Sequence, residues 1–184
     1  GKTTLLLSSG RIDELAASLA RDLAQAVPNA GEALLRLGRA FGRHSDKQAI
    51  HRLLQQLTEP YLDLPEARYV RAQAELGIAD VARAGSEIDR ALALRPNWDA
   101  AALFKAELLP KGSAQLDFLK TWLDANPGAQ DVRLAYARAL VGDAELATAL
   151  GTQPPLDVDA AAGRRVTQRI AGQVPEGAEE LGLD

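Results

Sequence analysis

Side chains of one kind recur every 34 positions along this 184-residue chain. Pro28 and Pro96 stand two such periods apart with Leu62 halfway between them, and each lies in a short turn: Val27-Pro28-Asn29, Tyr61-Leu62-Asp63 and Arg95-Pro96-Asn97. Ten residues beyond each turn residue come Gly38, Ala72 and Ala106, where a small side chain lets two helices approach closely. Three residues further on are Phe41, Glu75 and Leu109, a register whose middle member breaks the apolar rule. A period of this length constrains the fold more than any local preference. Each unit is a supersecondary element too small to bury its own apolar face, so it must stack on its neighbours.

Within the period, apolar residues recur at intervals of three and four, as on one face of a helix. That spacing predicts helices over about 11–26, 30–43, 46–58, 65–78, 80–94, 98–109, 113–125 and 129–141. In the helix over 80–94, Val81, Ala84, Ile88, Ala91 and Leu92 form one stripe while Arg83, Glu87, Asp89 and Arg90 fall elsewhere. Pro65 suits the first turn of the helix it opens, where its missing N–H would have no partner. Alanine and leucine dominate and aromatic residues make up only 4%, which favours helix over strand. An apolar content of 47% suffices for a continuous packed interior.

The stretch Leu34-x2-Leu37-Gly38-x2-Phe41, followed in later units by Ala84-x3-Ile88, Ala91 and Pro96, resembles the tetratricopeptide repeat. The first unit keeps Ala16, Ala20 and Pro28 of the second helix, and the resemblance covers roughly residues 10 to 150. It implies an all-α solenoid of stacked antiparallel helix-turn-helix units in a right-handed superhelix, with a concave and a convex surface. Residues 1–150 are expected to form the array, about four to five units with the first and last partial. The fourth unit is short, because Pro96 and Pro127 are only 31 residues apart. Either its helices are clipped or residues are missing around Leu109-Pro110-Lys111-Gly112-Ser113. A fifth unit starts near Gln130, its second helix truncated by Gly151 and Pro154-Pro155. Residues 151–184 read as a linker followed by a helix with Val158, Ala162, Val166 and Ile170 on one face, capping the open end, or else as a loosely ordered extension.

The sequence excludes several kinds of chemistry. A formal charge of −4 with both signs mixed along the chain gives no broad positive field for nucleic acid. No cysteine and two histidines leave no disulfide framework, thiolate site or histidine-rich metal centre. No apolar run approaches the roughly 20 residues of a membrane span. Gly1-Lys2-Thr3-Thr4 matches the end of a phosphate-binding loop but lacks the glycine-rich half and the strand that would place it, so a nucleotide-binding fragment is a remote alternative. His44 and His51, with Arg36, Arg39, Arg43, Lys47 and Arg52 nearby, form either a local basic patch or an ordinary solvated helix edge. Asp13-Glu14 and Glu179-Glu180 read as helix-surface residues. No catalytic residue, cofactor or metal is expected, and the chain is not expected to be an enzyme. With Gly1 first and no methionine anywhere, the chain reads as trimmed, engineered or incompletely represented, and its compartment stays open.

In the resembling family the binding groove is lined by first-helix positions and the turn between units. Carried over, these are Leu35, Arg39, Tyr69, Gln73, Trp98, Leu103 and Glu107. Trp98 and Tyr69 are the preferred anchors, since large amphipathic rings bury much area at modest entropy cost, though both also suit packing between units. One class of the family grips a terminal carboxylate with lysine and asparagine. Leu35, Tyr69 and Leu103 occupy those places here, so an extended or helical apolar segment with some polar character is the expected ligand. The wording Glu87-Ile88-Asp89-Arg90-Ala91-Leu92-Ala93-Leu94-Arg95-Pro96 resembles proteobacterial members, cytoplasmic or periplasmic. The expected function is a scaffold or adaptor that binds a protein or peptide. The alternative is a self-association module of a larger envelope protein.

Overall fold

The computed structural model describes residues 11–26 and 28–149, with side chains up to 144. The Gly1-Lys2-Thr3-Thr4 motif, Val27 and the expected linker and helix of 151–184 lie outside the described residues. The chain divides at Gly142 into two units; of the second, only the last turns of one helix are described.

Eight α-helices follow one another among the described residues, with no strand: α1 Ile12–Gln25, α2 Ala30–Phe41, α3 Lys47–Thr58, α4 Pro65–Gly77, α5 Val81–Leu94, α6 Asp99–Leu108, α7 Ser113–Ala125 and α8 Gln130–Ala149. A single 3-10 turn, Glu59–Tyr61, follows α3. The fold is an α-solenoid of stacked antiparallel helix pairs of the tetratricopeptide-like kind. The pairs are α2/α3, α4/α5 and α6/α7, with α1 and α8 at the two ends of the described array.

Local signals set the starts and stops. Asp46 and Asp80 cap α3 and α5, their carboxylates accepting from the Ala49 and Arg83 backbone N–H groups at 2.9 and 3.0 Å. Pro65 opens α4. At the end of α4 the Asp80 N–H donates to the Glu75 carbonyl and the Ala79 N–H to the Leu76 carbonyl, the double bond pattern that closes a helix through a left-handed residue. That residue is Ala79, at φ 63°, where glycine is the usual occupant.

Three apolar clusters run along the array, and each joins successive units. Leu15, Leu34, Leu53 and Val70 hold α1 to α4 together; Ala72, Ile88, Ala101 and Phe104 join α4, α5 and α6; Ala106, Leu119, Ala129 and Val132 join α6, α7 and α8. The small residues at the 34-residue period sit where helices touch. A Cβ added to Gly38 would lie 3.0 Å from Gln73 Oε1 and 3.1 Å from Val70 Cγ2, so α2 and α4 approach too closely there for a larger side chain. Ala72 and Ala106 are buried on the same register.

The structure answers one point that the sequence left open and departs from the sequence reading in two places. The short fourth unit loses residues from its first helix: α6 has 10 residues against 13 in α4, while α7 keeps 13. The Ala106 carbonyl near the end of α6 accepts from the buried Gln115 side-chain amide at 2.9 Å, and Gly112 turns the chain at φ 95°. The fifth unit is no hairpin within the described residues, because α8 runs unbroken through Gly142 to Ala149. A single glycine costs a helix only about 1 kcal/mol, and no proline stands there to stop it. Val81 leaves the stripe of its helix and is 48% exposed, whereas Ala84, Ile88 and Ala91 are buried as expected.

Candidate functional site

The first helices of successive units, α2, α4 and α6, present equivalent positions at the 34-residue step. Leu35, Tyr69 and Leu103 form one row, and one helical turn further on Arg39, Gln73 and Glu107 form a second. Leu35 and Leu103 are half-buried against the first and third apolar clusters. Arg39 and Glu107 are exposed.

Tyr69 is the centre of this surface. Its ring packs against Trp98 and Phe104, with centroids 5.0 and 5.5 Å away. Burial raises the phenol above its ordinary value of 10.0, the Glu107 carboxylate pushes it the same way, and the Arg39 guanidinium opposes both. Arg39 and Glu107, two repeat units apart in the array, therefore both act on the one hydroxyl. Gln73 lies beside it on α4, its amide oxygen against Gly38 of α2.

Trp98 sits differently from the other six residues. It precedes α6, half-buried between the Tyr69 ring and the Arg95 guanidinium, which stands 4.7 Å from the ring centroid. These contacts make it part of the packing between the third and fourth units.

Adding 34 to Leu103 and Glu107 leads to Ala137 and Val141, but the clipped α6 changes the step to 31. Ala101 and Val132, both fully buried, match at that step, so the rows continue on α8 at Leu134 and Arg138. Leu134 is 51% exposed. The 31-residue interval from Pro96 to Pro127 is the signal in the sequence that would have located both.

Four of the residues that sequence proximity had grouped have partners of their own. Lys47 donates to the Gly42 carbonyl, Arg36 pairs with Glu32, and the His44 ring accepts from the Asp46 N–H. His51 turns inward, 3.1 Å from the buried Glu75 carboxylate, which also accepts from Gln55. Arg39, Arg43 and Arg52 of the same group stay exposed. An open groove of about 650 Å³ runs between α5 and α6, lined by Val81, Ala82, Gly85, Ser86 and Leu108, with Lys105 and Asp89 paired across it at 2.6 Å. Among the described residues no group of three or more His, Cys, Asp or Glu is placed to hold a metal ion. No helix among them is long and apolar enough to cross a membrane.

No protein-family model matches the sequence, and no curated protein matches it. Solved structures do. A crystal structure of MamA superposes with a TM-score of 0.50 at 18% identity, over 77% of this chain and 84% of that one. A second crystal structure of MamA protein gives a TM-score of 0.45 at 17% identity, over 94% and 92%. At this identity the first likeness speaks for the helical-repeat fold and for nothing finer.

Proposed function

We propose that this chain is a binding module of the tetratricopeptide type, not a catalyst, and that it holds a segment of another polypeptide on the face formed by α2, α4, α6 and α8. The observation that carries this reading is the double row: Leu35, Tyr69, Leu103 and Leu134 supply apolar surface, and Arg39, Gln73, Glu107 and Arg138 line it one turn away. An apolar strip edged by polar groups is what a specific polypeptide interface requires, since burial supplies the affinity and the polar edge fixes register.

The test compares capture from a cell extract by the wild-type chain, by R39E/L134D and by R83E, whose side chain lies on the exposed part of α5. With melting temperatures unchanged, the double variant is expected to lose a partner that the other two retain. Identical capture by all three would remove the reading. Sedimentation at several concentrations separates an external partner from a second copy of the chain, because only self-association shifts with concentration.

A further inference from the structure

The charged residues of the three central first helices divide unevenly. On α2, Glu32 and Arg36 pair with each other; on α4, Glu66, Arg68, Arg71 and Glu75 pair with Arg95, Glu87, Glu59 and His51. On α6, Asp99 accepts from the Trp122 indole and Lys105 pairs with Asp89. Arg39 and Glu107 are left, with no ion pair to any described residue, and they stand on the same row to either side of Gln73. The Tyr69 hydroxyl and the Gln73 amide likewise make no hydrogen bond with any described residue.

These groups restrict what the face can hold. A bound helix satisfies its own backbone N–H and C=O groups and would cover the hydroxyl and the amide without giving them partners, a loss the size of a missing hydrogen bond for each. An extended chain arrives with its backbone groups unpaired and supplies those partners. Helices in contact lie about 8–10 Å apart; α2 meets α4 at Gly38, and α4 reaches α6 through the rings of Tyr69 and Phe104, so the two steps separate Arg39 from Glu107 by roughly 16–20 Å. At about 3.3 Å per residue that is five or six residues of extended chain.

We infer that the segment bound here is extended, with an acidic side chain that meets Arg39, a basic one five or six residues away that meets Glu107, and apolar side chains between them resting on the row of Tyr69. This inference rests on the peptide-binding reading of the same face.

The experiment uses synthetic peptides of about twelve residues, rich in valine and threonine, with Glu and Lys five or six positions apart in both orders and a benzophenone at one end. Titration at low salt is expected to show one order binding at least about threefold more tightly than the other, the size of a solvent-exposed charge pair. The R39E/E107R double variant is expected to invert that preference. A probe with N-methylated backbone between the charges, and a lactam-bridged helical probe with the same side chains, are each expected to bind more weakly. Equal binding of both orders, a preference unaltered in R39E/E107R, or tighter binding of the helical probe would overturn the inference. Photocrosslinking separates the two failures. Label on α2, α4 and α6 without any order preference removes the charge-matched extended segment alone, whereas label elsewhere removes the peptide-binding face as well.

Discussion

Burial holds the Tyr69 phenol in its neutral form, and the opposed charges of Glu107 and Arg39 tune it from the two sides. Because the folded-state value is raised, the contribution to stability is complete below the unfolded phenol's value near 10 and is lost as pH climbs through the folded one. Spectrophotometric titration of the phenolate should therefore show a late step that Y69F removes. E107Q should move that step to lower pH and R39Q to higher pH; no movement in either would mean that the two charges do not face the ring. Glu75 poses a different problem, an acidic side chain buried where Phe41 and Leu109 stand in neighbouring units. Its carboxylate accepts a hydrogen bond from the Gln55 amide and stands 3.1 Å from the His51 ring, so E75L should cost about 2 kcal/mol by removing the acceptor that faces both groups. Q55L/E75L, which removes the Gln55 amide as well and leaves only His51 of the cluster, should recover part of the loss in urea denaturation. Glu75 looked like a flaw in the repeat because a pattern of apolar positions cannot reveal a polar partner on the adjoining helix.

Helices α2 and α4 approach at Gly38, and the neighbour there is Val70, fully buried and stiff at χ1. G38L should force the two helices apart and cost about 2 kcal/mol or more, measured by thermal or urea unfolding. An unchanged stability would mean the helices are less closely packed than described. The turn from α4 to α5 offers a gain instead. Ala79 holds a left-handed conformation that costs an L-residue roughly 1–2 kcal/mol, so A79G should raise stability by about 1 kcal/mol despite the looser unfolded chain. A loss on that substitution would argue against the turn geometry. Helix limits were largely legible in the sequence: Asp46, Pro65 and Asp80 mark their starts within a residue or two of the spacing-based expectation. The end of α8 was not, because a lone glycine in an alanine-rich run leaves stopping or continuing to the surroundings.

Stacked repeats touch mainly their neighbours, so stability is distributed along the array instead of being held in one core. The first cluster, spanning α1 to α4, contains Leu15, Leu34, Leu53, Leu54, Leu57 and Val70, whereas the third relies on Leu119 and Val132 with alanines. L119A should cost about 3 kcal/mol locally. Hydrogen exchange should speed up in α6 to α8 while α1 to α3 stay protected. Acceleration spread evenly over the chain would show instead that the described array opens as a single cooperative unit.

The sequence by itself determined the all-helical class, the pairing of helices into hairpins and the 34-residue step, because all three follow from where apolar and small residues recur along one chain. It also located Leu35, Tyr69 and Leu103 on equivalent positions. Only the tertiary structure set Trp98 against the Tyr69 ring, continued the rows at Leu134 and Arg138, and left Arg39 and Glu107, of the charges on α2, α4 and α6, without an ion pair to any described residue. Spacing fixes which side of a helix a residue occupies; whether its charge is neutralised depends on a side chain brought up from a distant point in the chain, which no period records.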